Sequence, residues 1–469
     1  MKRIIFTLIA LLAMNSQMAY AQSWDTVGSQ DFSAGEALCT SIAIDGNGTP
    51  YVAYYDGGNG GKATVMKYNG SSWVTVGAAG FSDSTAYYTS IAIWNDTPYV
   101  VYEDGGNNLK ATVMKYNGSS WVRVGTAGFS DSVATYTSIA INGSGTPYVV
   151  YEDYATSNFG ATVMKYNGSS WVVVGIVGFT PGASIFSDLT AQYTSIAIDG
   201  SGTPYVAYCD GSSDDAYSGA ATVMKYNGSS WVYVGNPGFS GSFATGGAQY
   251  TSIAIDSGGT PYVVYEDFTN SDAATVMKYV DTSWVTVGSA GFSISLAAYT
   301  SIAIDRSGTP YVVYQNGGYI YPATVMKYNG SSWVTVGSAD FTLGGAEFTS
   351  IAINGDGTPY IVYFDCNDGG RATVMEYDTS TGSISGIGES NIIGPAIQIY
   401  PNPLSTTVHI KAPGKVNVTI LNVVGQVMLE QQNATDIDMS GVANGIYIIK
   451  VYDENNMLLK TEKLVKDEE

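Results

Sequence analysis

The segment Ala111–Gly125, ATVMKYNGSSWVRVG, limits what this chain can fold into more than any other feature, because it recurs nearly letter for letter. It reads as two short strands joined by Asn117-Gly118. That pair readily takes the positive φ angles of a type I′ turn, whose twist matches the flanking strands. The first strand begins at Ala63, Ala111, Ala161, Ala221, Ala274, Ala323 and Ala372. The tryptophan of the second stands at Trp24, Trp73, Trp121, Trp171, Trp231, Trp284 and Trp333, at intervals of 49, 48, 50, 60, 53 and 49 residues. Two further strand-like runs precede each hairpin: T-S-I-A-I (first at Thr40) and T-P-Y (first at Thr49). Four strands in a period near 50 predict an all-β chain built as a seven-bladed β-propeller, since each small sheet needs neighbours on both faces. A linear β-solenoid is the competing arrangement, but its repeats are usually shorter and its ends need caps.

Closure is legible as well. An isolated S-W-D-T-V-G at Ser23–Gly28 is the fourth strand of a unit that lacks the other three, and the last unit stops at Ala372–Tyr377 without a good fourth strand. Pairing the two completes the seventh blade and removes exposed sheet edges. Residue size then orders the strands radially. T-S-I-A-I, with small Ser and Ala, lines the central channel, and the Trp strand is outermost, with Val74/Val76 and their equivalents packing between blades. The short, nearly constant turns fall on one face; the loops that vary fall on the other, where binding is usually built.

The net charge of -21 and pI near 4.2 argue against nucleic acid as a partner. Residues 1–21 read as a secretory signal, with Lys2 and Arg3, an apolar Ile4–Ala13 and a small-x-small site at Ala19–Ala21. No later segment has the length and apolarity of a transmembrane helix. Three cysteines cannot form a disulfide framework, although a Cys39–Cys366 bridge would tie the first repeat to the last.

The sole histidine, His409, lies outside the repeats, which argues against His-dependent triads and His-ligated metals in the ring. No catalytic constellation, metal site or phosphate loop is apparent. Two sets of residues are candidates for ligand binding. Asp56, Asp104, Asp153, Asp210, Asp267 and Asp365 end the second strands on the variable face, several of them beside a glutamate (Glu103, Glu152, Glu266). They serve either a cation or sugar, or closure of their own turns. Tyr88, Tyr136, Tyr193, Tyr250 and Tyr299 precede T-S-I-A-I and offer flat rings to a sugar face or to neighbouring blades. The phenylalanines of the connecting loops (Phe81, Phe129, Phe179 and equivalents) read as packing, and the repeated lysine (Lys67 onward) as solvated or paired with a neighbour. No cofactor is implied; calcium is the one ion to test, although turns such as Asp45–Gly48 lack the clustered carboxylates of a tight site. The longest insertions, with Asp188, Asp214 and Asp215, are where a blade-specific acid–base cluster would have to lie.

The repeats stop near Gly388. After a linker over 389–396, residues 397–469 alternate apolar runs with turns in the manner of a small β-sandwich. The motifs Ile399-Tyr400-Pro401-Asn402-Pro403, Leu421-Asn422 with Gly425-Gln426-Val427, Met439-Ser440-Gly441 with Gly445-Ile446-Tyr447, and the terminal Lys460–Lys466 resemble the C-terminal sorting domain of the type IX (Por) secretion system. That resemblance implies type IX machinery as a partner, export across the outer membrane, and release or surface attachment after the domain is removed. It is silent on the cargo. The repeats themselves resemble kelch-like or lectin-like propellers without their signature residues. The expectation for residues 22–388 is a multivalent module for extracellular glycan first and protein second. The alternatives are a propeller glycosidase or polysaccharide lyase, and a purely structural adhesion protein.

Overall fold

Each repeat folds into one four-stranded antiparallel sheet with its strands in sequence order. Blade 1 comprises Ala37–Ile44, Pro50–Asp56, Lys62–Tyr68 and Trp73–Thr75, and blades 2–6 repeat it. Blade 7 takes Ala346–Ile353, Pro359–Asp365 and Arg371–Tyr377 from the end of the ring, and Trp24–Thr26 from its beginning. Trp24 lies opposite Tyr377, as Trp73 lies opposite Tyr68 in blade 1. The propeller and its closure are thus as the repeat predicts. The computed structural model describes residues 23–156, 159–180, 191–210, 219–241, 247–318, 320–377 and 398–467, the last without 401–403, 405, 413, 423–426 and 453–457. The expected signal segment, the linker, Asp188, Asp214 and Asp215 lie outside the described residues.

The seams between blades repeat as faithfully as the blades. Each outer tryptophan donates its indole N–H to a valine carbonyl of the preceding blade: Trp73 to Val27 at 2.7 Å, Trp121 to Val76 at 2.6 Å, and Trp24 to Val336 at 2.7 Å across the closure. A connecting-loop phenylalanine stacks on the same indole, with Phe81 4.0 Å from Trp121 and Phe341 4.6 Å from Trp24 between centroids. The expected packing role of the phenylalanines is what the structure shows. Gly77, at φ 72°, follows the buried Val76; a Cβ there would stand 2.9 Å from Tyr116 and 3.2 Å from Trp121 of the next blade. Only glycine allows both that backbone and that approach. Of the valine pair, Val76 is buried but Val74 only half-buried, because the outer strand ends at Thr75 and the chain turns inward after it. The repeated lysine lies over the tyrosine opposite it in its own blade, Lys67 Nζ being 5.7 Å from the Tyr51 ring centre.

Residues 398–467 form a separate unit of two sheets. One orders Gln398–Tyr400, Thr407–Lys411 and Asp436–Asp438; the other orders Val427–Gln431, Asn417–Asn422, Gly445–Tyr452 and Leu458–Lys466. Leu404, Val408, Ile420, Met439, Ile449 and Leu464 fill the space between them. Among the described residues, no helix is long and apolar enough to cross a membrane.

Candidate functional site at the channel mouth

The innermost strand starts earlier than T-S-I-A-I suggests, at Ala37 in blade 1, and carries a bulge between Leu38 and Ser41. The same bulge occurs in every blade and places one residue in the left-handed region: Cys39 at φ 52°, Tyr88 at 49°, Tyr136 at 49°, Tyr193, Tyr250 and Tyr299 at 51°, and Phe348 at 50°. A non-glycine residue in this region costs on the order of 1–3 kcal/mol and must be held by its surroundings. A threonine of the next blade does so, its hydroxyl donating to the carbonyl of the bulged residue, as Thr137 does to Tyr88 and Thr194 to Tyr136 (2.6 and 2.5 Å). Two residues on, a serine hydroxyl accepts the next blade's Ile N–H, Ser90 from Ile139 at 3.3 Å. The channel wall is therefore a circular belt of hydrogen bonds, and it aims seven equivalent side chains at one mouth.

Those side chains build a collar. Neighbouring rings lie 4.8–5.0 Å apart at tilts near 50° from Tyr88 through Tyr136, Tyr193, Tyr250 and Tyr299 to Phe348. All are half-buried around an opening of about 300 Å³ whose deeper wall is Ser and Thr. Burial pushes the phenols up; Tyr136 reaches about 12, with Glu152 adding to the rise. They are therefore neutral donors. All five candidate tyrosines converge here, and Phe348 and Cys39 join them. Both stand in the repeat position that the tyrosines mark, which is the signal that would have found Phe348.

The six aspartates do not join that collar. Alternate residues of a strand face opposite ways, so Asp104 and Glu103 part company. Asp104 is 2% exposed and turns to its own loop, accepting from Gly106 N–H (2.9 Å), Asn107 Nδ2 (2.8 Å) and the Thr112 hydroxyl (2.8 Å). It thereby caps a short 3₁₀ turn, Gly105–Asn107. Asp56, Asp153 and Asp267 accept from the equivalent threonine, and Asp210 and Asp365 are buried at the same place. Asp45 likewise holds its turn through the N–H groups of Asn47 and Thr49.

The glutamates beside them lie near the collar. Glu103, Glu152 and Glu266 are buried, and desolvation pushes their carboxyls up to about 7, 7 and 8. Glu152 accepts from the Thr135 hydroxyl at 2.6 Å.

Blades 6 and 7 vary the aspartate arrangement. In blade 6, Asn316 replaces the strand-end Asp, and Asp340 replaces the loop glycine that is Gly128 in blade 2; Asn316 donates to Asp340 at 2.7 Å. One carboxylate has been exchanged for another. Blade 7 keeps both: Asp31 takes the loop position, Asp365 the strand end, and the ligand atoms of these two and Asp368 lie within 4.8 Å of one another. Burial and a hydrogen bond with Asp368 push Asp31 up to about 6. This is the set of described residues that could hold a metal, a grouping the sequence reading did not assemble. Cys39, Cys209 and Cys366 are free thiols, so the bridge between first and last repeats is not formed; Cys39 is committed to the channel mouth and Cys366 to an exposed turn.

Residues 398–467 match the family described as "Secretion system C-terminal sorting domain". The C-terminal unit is a type IX sorting domain. It indicates that the protein is exported, to the medium or the cell surface. No curated protein sequence matches the chain. Among solved structures, a PL25 ulvan lyase superposes with a TM-score of 0.51 at 13% identity, over 75% of this chain and 94% of its own. A fungal alcohol oxidase of the AA5 family, in complex with copper, gives 0.49 at 11%, over 95% and 100%. The SapL1 lectin with alpha methyl fucoside gives 0.43 at 18%, over 67% and 99%. At 13% identity the likeness to the ulvan lyase is one of fold alone.

Proposed function

We propose that this is an exported binding protein whose tyrosine collar recognises extracellular glycan, with a protein surface as the second class of partner. One observation carries the reading: five tyrosines and Phe348 are held in the same costly backbone conformation around a single open mouth. Sugar rings offer C–H faces to aromatic rings and hydroxyls to phenols, and the collar presents both. The varied loops on the same face would set which glycan is chosen.

A glycan array probed with the mature chain, with and without calcium, tests this. Binding should fall at least tenfold in the double variant Tyr136→Ala/Tyr193→Ala and persist in Asp104→Asn, whose side chain serves its own loop. Unchanged binding in the tyrosine variant would remove the collar from recognition. Turnover of a bound glycan, abolished by one substitution, would replace the binding role with a glycosidase or lyase.

A further inference from the structure

The collar is broken at one place. Between Phe348 and Tyr88 the bulge position holds Cys39, whose side chain is far smaller than a tyrosine, and the gap opens sideways into a cleft of about 620 Å³. Its walls are chiefly apolar, and three large side chains stay exposed around it: Tyr87 at 36%, Leu109 at 38% and Tyr154 at 41%. Glu103, only 5% exposed, also lines it. In blade 3 the strand neighbour of the equivalent Glu152 is Thr135, which satisfies one of its oxygens. In blade 2 the neighbour is Tyr87, which stacks on Tyr55 instead (5.2 Å, 26°) and leaves Glu103 without a side-chain partner. The Glu103 carboxyl is thus left for a donor that enters the cleft from solvent.

We propose that this cleft is a site for a small organic cation, an alkyl- or methylammonium group held by the rings of Tyr87, Tyr88 and Tyr154 and neutralised by Glu103. The chemistry follows from the walls. Aromatic faces attract cations, most strongly when water is excluded, and an alkylated ammonium is the cation that also gains from apolar contact. A carboxylate in such a place binds a cation that a neutral isostere cannot replace. The site stands beside the glycan collar, shares Tyr88 with it, and goes beyond that reading.

Binding must displace a proton. Burial holds the Glu103 carboxyl up to about 7, so below that pH the empty site is neutral and the cation enters as the proton leaves. The other titratable groups facing Glu103 are Tyr87, paired with it across the strand, Tyr88 and Cys39 on the neighbouring innermost strands, and Tyr154 on the loop after the second strand of blade 3. Burial pushes Tyr88, Cys39 and Tyr154 up, so they stay neutral through this range. Glu152, which also acts on Tyr154, titrates in the same range.

Calorimetry on the full chain with choline, and with its uncharged isostere 3,3-dimethylbutan-1-ol, tests the inference. Choline should bind and the alcohol should not. Affinity should rise up to about tenfold per pH unit below pH 7 and level off above it, with up to one proton released per choline. Glu103→Gln copies Gln315 of blade 6 and should fold, yet lose choline at least tenfold together with the pH dependence. Cys39→Tyr copies blades 2–6, closes the gap and should abolish choline binding. No choline binding by the wild-type chain, equal binding of the alcohol, or undiminished binding by Glu103→Gln would overturn the proposal.

Discussion

Trp24 is the residue on which closure of the ring turns. Its strand contributes only three paired residues, Trp24–Thr26 against Met375–Tyr377. Backbone bonds from Val27 to Val374 (2.9 Å) and Phe32 to Ala372 (3.2 Å) extend the seam, and the indole adds a 2.7 Å bond to the Val336 carbonyl and a stack on Phe341. Trp24→Ala should cost about 3–5 kcal/mol for the lost packing and about 1 kcal/mol more for the orphaned Val336 carbonyl. The total, about 4–6 kcal/mol, is a large part of the 5–15 kcal/mol that usually separates folded from unfolded chains. Trp171→Ala is the internal control. It removes an equivalent bond to Val124 and stack on Phe129, but within a blade made of consecutive strands. Both variants should shift the urea midpoint. Trp24→Ala should also lower the m-value, because release of the first strand lets blade 7 open before the rest. A loss under about 1 kcal/mol for Trp24→Ala, or an m-value equal to that of Trp171→Ala, would refute the idea that this strand fastens the ring.

Two further outcomes are expected. Glu103, Glu152, Glu266 and Asp210 are all raised by burial, to about 7, 7, 8 and 7. Between pH 5 and 8.5 the folded chain therefore holds more protons than the unfolded one, and the stability they lend, complete below the unfolded values near 4, is lost as pH rises through 7–8. Tm should fall across that range, less steeply in Glu152→Gln; a flat or rising profile contradicts the burial argument. In blade 7, Asp365→Asn copies blade 6 and relieves Asp31 and Asp368, raising Tm in EDTA by about 2 °C for each kcal/mol relieved. An unchanged or lower Tm would show that the three carboxylates do not repel one another there.

Much of this could be read from the chain because a propeller is periodic. Seven tryptophans at near-equal spacing, a lone first S-W-D-T-V-G and a missing last one were enough for blade number, strand order and closure, since each term is local to a repeat or counts repeats. The sorting domain was legible for the same reason, as contiguous motifs. The phenylalanines were placed correctly by size alone.

What the tertiary structure decided is where alternate side chains point and what faces them across a seam. Asp104 and Glu103 are adjacent in the chain, yet one caps a turn while the other lines a cleft, because a strand sends successive residues to opposite faces. The left-handed bulge that aims Tyr88 and its equivalents at the channel is stabilised by a threonine some fifty residues away, on the next blade. The gap at Cys39 matters only because the ring brings Phe348, from the last blade, to its side. A repeat tells which residues are equivalent; only closing the circle tells which of them meet.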